Sequence, residues 1–207
     1  MEMEVAREAV EKLSAAGFAF RGVMETLDDL PPVNVVSYMS NLGPDSGRHG
    51  FLLAHDEQDL SSRFNEEWER LARESGLFSE GAEGRPEFLI GVDTVQDTSE
   101  DAELQSWRWV RVALADGWDI AGAGCENGIL GAGANNPAFI MMSLDGEVLM
   151  GGAYWQDGIG ATALTHPARL PELREHARRI AVDFDWLEPE QRQWAGRWLE
   201  HVTAQDR

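Results

Sequence analysis

Nucleophilic chemistry in this chain would have to start from Cys125, the one cysteine, with one of five histidines as its base. Cys125 lies within Gly122-Ala123-Gly124-Cys125-Glu126-Asn127-Gly128, where small neighbours can leave a thiolate accessible. A cysteine nucleophile needs a histidine oriented by a third group. His49, His55, His166 and His176 are available, but the sequence alone places none of them beside Cys125. The spacing also departs from a nucleophile elbow, which places glycine two residues to each side of the nucleophile. Ala123 and Asn127 occupy those positions. A dinucleotide fingerprint fails similarly: the third glycine of GxGxxG falls one position late, and Asn127-Gly128 marks a turn. Cys125 is therefore expected first as a small buried hydrophobe. Its alternative role is the nucleophile of a hydrolase or transferase built from residues 116–128 and 154–166. Asp116, Asp119, Glu126 and Asp157 lie near the same turns, but sequence spacing does not report the separation that a carboxylate pair requires.

Other chemistries are excluded more firmly. Lys12 is the only lysine among 17 basic residues, and no GxxxxGK[ST] loop precedes it. The same scarcity removes a Schiff-base lysine. There is no HExxH, CxxC or DxDxDG pattern, so no metal and no cofactor are expected. His55-Asp56-Glu57 with Asp59 offers four ligand types, but these acids fit better as favourable charge at a helix N-terminus. Asp97, Glu100, Asp101 and Glu103 read as a solvated acidic loop.

The formal charge of −20 argues against nucleic acid and against anionic membrane surfaces. It leaves solubility, or a basic protein partner steered in by the field. No apolar run approaches the ~20 residues of a membrane span. The start Met-Glu-Met-Glu-Val lacks the features of a signal peptide, and one cysteine excludes an internal disulfide framework, so a cytoplasmic protein is expected.

Eight tryptophans are many for 207 residues. Trp107 and Trp109 share a face if they lie on a strand, and Trp194 and Trp198 share a side of a helix. Trp118 and Trp155 flank the glycine-rich region. A core rich in aromatics is the simpler account. The functional account is a protein-binding surface anchored by Trp107, Trp109, Trp155, Trp194 and Trp198, with Arg192 and Arg197 beside the last pair.

The elements that would position these residues follow from periodicity. Helices are expected over about 2–16, 59–75, 169–183 and 188–203, each with an apolar stripe. Gly17 and Gly76 sit at C-terminal caps, and Pro171 and Pro189 near N-termini. Strands are expected at Phe18 to Val23, Val33 to Met39, Phe51 to His55, Phe88 to Val95, Trp107 to Ala115 and Ile159 to Thr165. Phe139 to Leu144 and Glu147 to Tyr154 form a hairpin around Asp145-Gly146. Residues 117–137 are expected as loops and tight turns. The pattern gives one α+β domain over residues 1–207 with a mostly antiparallel sheet. The ending, a hairpin followed by a helix, is loosely similar to small bacterial immunity and adaptor domains, a topology shared by many unrelated folds. A non-enzymatic interaction module for a basic partner is the expected function, with the hydrolase or transferase as alternative.

Overall fold

The computed structural model describes residues 7–25, 28–81, 84–93 and 107–206. The expected acidic loop at 97–103, the start of the first helix and the end of the strand at 94–95 lie outside the described residues.

The fold is α+β, and its centre is one sheet in which every paired strand runs antiparallel. The strands are β1 (Phe18–Val23), β2 (His49–Ala54), β3 (Ser79–Glu80), β4 (Pro86–Asp93), β5 (Trp107–Leu114), β6 (Phe139–Met142), β7 (Val148–Trp155) and β8 (Gly158–Thr165). Their order across the sheet is β1-β5-β4-β6-β7-β8-β2, with the short β3 on β4. The helices are α1 (Arg7–Ala15), α2 (Val33–Val36), α3 (Leu60–Ser75), α4 (Pro171–Asp183) and α5 (Pro189–Gln205).

Successive strand residues point to opposite faces, and here both faces are covered. Phe88 and Ile90 of β4 and Val110 and Val112 of β5 pack in one cluster with Leu13 of α1 and Phe64 and Trp68 of α3. Leu89, Trp109, Met142 and Leu149 face the other way, against Val33, Val36, Leu173 and Trp194. A third layer seals α2, α4 and α5 to one another through Val35, Ala177, Ile180, Trp198 and Val202. Antiparallel sheets commonly leave one face wet. Two-sided cover explains why β4 and β5 read as nearly continuous apolar runs.

Local signals in the sequence set most boundaries. Gly17 ends α1 at φ +80°, and a Cβ there would lie 2.4 Å from the Trp118 Cα, so both conformation and space demand glycine. The β6–β7 hairpin forms as expected: Ser143 N–H donates to Val148 O at 2.9 Å, and Gly146 takes φ +75°. Asp145 Oδ1 accepts from the Ser143 hydroxyl and from Glu147 N–H, which fixes the turn.

Two expectations are corrected. The segment from Val33 to Met39 is helical: α2 continues into a 3₁₀ turn at Ser37–Asn41. Pro32 starts it, with its carbonyl accepting from Val35 and Val36 N–H. Val33, Val36 and Met39 then point at the sheet while Val35 points into the outer layer. Burial on two sides overrides the β preference of branched residues. The glycine-rich segment is not only turns either. Residues Ile120–Gly124 form a turn of π-helix. Asp59, in turn, precedes α3 as expected but at φ +53° and without a side-chain cap.

Candidate functional site

The glycine-rich segment is built as a structural device. Asp119 opens its π-helical turn, and its carboxylate accepts from Gly122 and Ala123 N–H at 2.9 Å each. Asn65 on α3 donates to Asp119 Oδ1 at 2.7 Å, and its own Oδ1 accepts from Ile120 and Ala121 N–H. Burial raises the Asp119 pKa, but the hydrogen bonds from Asn65, Ala123 and Gly122 outweigh it and hold it below the usual value. Two side chains thus satisfy four backbone donors that a turn of this kind leaves open.

Cys125 follows directly and is fully buried. Its Sγ lies 3.5 Å from Leu130 O, and burial pushes its pKa up to about 12, with a backbone hydrogen bond at Asn136 opposing and the charge of Asp119 adding. At neutral pH it is a thiol, packed like a small hydrophobe. The five histidines are engaged elsewhere: His49 with Ser75, His55 with the Trp155 carbonyl, His166 with Glu147, His176 with Tyr38 and His201 with Gln205. The geometry does not assemble the nucleophile, base and orienting group that the alternative role of Cys125 would need.

The tryptophans separate into two groups. Trp109, Trp194 and Trp198 are buried. Trp109 Nε1 donates to Pro31 O at 2.7 Å and Trp194 Nε1 to Leu30 O at 2.9 Å, so this pair ties the sheet and α5 to the chain entering α2. As core, these three do not form a docking surface in the folded chain. Trp107 is half-buried and Trp155 is 40% exposed. Arg197 pairs with Asp28 at 2.8 Å on the surface.

Two adjoining clefts open on the α2 face, of about 450 and 470 Å³, and both are lined by Asn34, Ser37 and Trp107. The first runs under the connection between α4 and α5. Tyr38 stacks on His176 at 4.4 Å, His176 meets the edge of Phe184 at 5.8 Å, and Phe184 stacks on Trp186 at 5.4 Å. The Arg179 guanidinium sits 5.6 Å from the Phe184 ring. Leu187 is buried and anchors the connection, which leaves Trp186 66% exposed at its tip. Burial lowers the His176 pKa, helped by the charge of Arg179 and opposed by a hydrogen bond to the Asn34 backbone, so the ring is neutral at neutral pH.

The connection reads Asp183-Phe184-Asp185-Trp186-Leu187-Glu188. None of Asp183, Asp185 and Glu188 makes an ion pair with a described residue. On α3, by contrast, Arg70 pairs with Glu67 and Glu74, and Arg73 with Glu69. Trp186 escaped the sequence reading because it shares no periodic spacing with another tryptophan. The available signal was its place, between two helices and within alternating acids and aromatics.

Comparison of the chain with family models, characterised proteins and solved structures finds no match.

Proposed function

We propose that this protein is a non-enzymatic interaction module, immunity- or adaptor-like in its role, that docks a basic segment of a partner protein on the α4–α5 connection. One observation carries the reading: the exposed Trp186 stands on Phe184 in a connection whose three carboxylates form no ion pair with a described residue. A lysine or arginine laid on the Trp186 face gains a cation–π contact of about 0.5–1 kcal/mol, and more as water leaves. Asp183, Asp185 and Glu188 would neutralise its charge, and the −20 charge of the whole chain speeds encounter. The expected anchor positions move accordingly, from the buried pair Trp194 and Trp198 to Trp186. Among the described residues no helix is long and apolar enough to cross a membrane. A reducing, cytoplasmic setting suits the single thiol at Cys125.

The test is fluorescence anisotropy with a labelled nonapeptide rich in arginine and lysine, against a glutamate-rich control. Binding should weaken about tenfold or more between low and physiological salt. Trp186→Ala should weaken it about as much again, and Trp155→Ala should leave it unchanged. Equal binding by Trp186→Ala and the parent chain would overturn the assignment.

A further inference from the structure

The second cleft has a different chemistry. Strand alternation places Gly151, Ala153 and Trp155 of β7 and Thr162 of β8 on the same face as Leu149 and Leu164, and these small residues line the cleft below the 3₁₀ turn. A Cβ at Gly151 would already lie 3.1 Å from the Met39 Sδ, so the strand comes close to the turn at this point. Trp107 and Trp155 supply aromatic lining, while Phe139 borders the cleft through its backbone and turns its ring to Phe64 on the other face of the sheet.

Arg48 is the cation of this cleft. Its Nη1 donates to Met39 O at 2.9 Å, which holds the guanidinium against the turn, and its buried Nε has no hydrogen-bond partner. No carboxylate of a described residue pairs with it, in a chain with 37 acidic residues where Arg63, Arg70, Arg73, Arg111 and Arg174 each hold at least one. Asn34, in the same lining, has a buried Nδ2 that is also without a partner. Buried donors are costly to leave unmade, and an unpaired guanidinium costs more than a neutral donor. The hydroxyls of Ser37, Ser40 and Thr162 add further polar groups.

We propose that this cleft binds a small organic carboxylate, with the anionic end at Arg48 and Asn34 and a flat apolar body against Trp107 and Trp155. The volume of about 470 Å³ suits a body of one or two rings, at the small end of the ligand-site range. A monoanion fits better than a phosphate. One guanidinium faces the ligand, the lining is largely apolar, and a dianion would meet twice the repulsion from a chain of charge −20. The site is independent of docking at Trp186.

Calorimetric titration of the intact chain with 2-naphthylacetate and with its primary amide tests this without any variant. The acid should bind with Kd in the range of about 10–500 μM, and the amide about tenfold weaker or more, because only the acid forms a charge-assisted pair with arginine. Arg48→Gln, checked for fold by circular dichroism, should bring the acid down to the level of the amide. Ala153→Phe, which fills the cleft, should abolish binding of both, and Trp186→Ala should change neither. Equal affinity for acid and amide, or no binding of either at about 5 mM, would overturn the proposal. So would an Arg48→Gln variant that binds the acid as the parent chain does.

Discussion

The pairing of Asp119 with Asn65 makes a quantitative claim about the glycine-rich segment. Replacing Asp119 with alanine removes acceptors for Gly122 and Ala123 N–H and for Asn65 Nδ2. A hydrogen bond to an ionised group contributes about 1.5–3 kcal/mol, and an N-cap Asp→Ala change alone costs about 0.5–2 kcal/mol. Asp119 is only partly buried, so solvent recovers some of the loss, and a net destabilisation of about 2–4 kcal/mol is expected. The effect must also depend on pH. The folded pKa of Asp119 lies below its ordinary value, so its contribution is fully present above the usual aspartate range and is lost as pH falls through the folded value. Urea unfolding followed by tryptophan emission reads both statements. With a slope of about 2–3 kcal/mol/M, the midpoint at pH 7 should fall by about 0.7–2 M. At a pH near 3 the gap between Asp119→Ala and the parent chain should shrink. A gap under about 0.5 kcal/mol at pH 7, or one unchanged in acid, would refute the structural role given to this carboxylate.

Three further outcomes follow from the same packing. Asn65→Ala should cost about 2 kcal/mol, and the double variant with Asp119→Ala should lose less than the sum, since the two share one network; additive losses measured by urea unfolding would contradict that. Cys125 should react with a thiol reagent at pH 8 only after denaturation, and stoichiometric labelling of the folded chain within minutes would show an accessible thiolate. Trp194→Phe should destabilise more than Trp198→Phe by about 1–2 kcal/mol, because the first leaves Leu30 O without the indole donor and the second removes a buried N–H with no partner; the reverse order in thermal or urea unfolding would be the disproof.

Periodicity made the large elements legible. The stripe Leu60, Phe64, Trp68 and Leu71 identified α3, and all four residues are buried. The Asp145-Gly146 hairpin and the strand from Phe18 to Val23 were equally plain, because the physics that sets them is local. Val33 to Met39 was not, because its β-branched residues are helical only under cover from α4, α5 and the sheet, which sequence neighbours do not reveal. The glycine-rich segment was misread for a similar reason. Its turn of π-helix rests on Asn65, which lies 54 residues from Asp119 in the chain. Tryptophan spacing put Trp107 beside Trp109 and Trp194 beside Trp198; the first two pack in one cluster, the second two in separate ones. Spacing reports which residues share a face, though, and not whether another layer lies on that face. The helix pair proved to be core for that reason.

The charge acquires meaning from its distribution. Much of the acidity on α3 is matched locally, since Arg70 and Arg73 hold three glutamates at helical spacing. Such exposed pairs contribute little to stability, but they flatten the field over that face. Asp183, Asp185 and Glu188 of the α4–α5 connection pair with no cation of a described residue, and in sequence they flank an aromatic platform held by Phe184 and the buried Leu187. Holding Trp186 outward would lower the entropy cost of the proposed docking, because the ring is placed before any partner arrives. Arg48 is the complementary case on the same face: a cation with which no carboxylate of a described residue pairs, in a chain where acids are in excess. The two clefts share Asn34, Ser37 and Trp107, so a ligand at Arg48 and a partner at Trp186 would meet neighbouring surfaces of the fold.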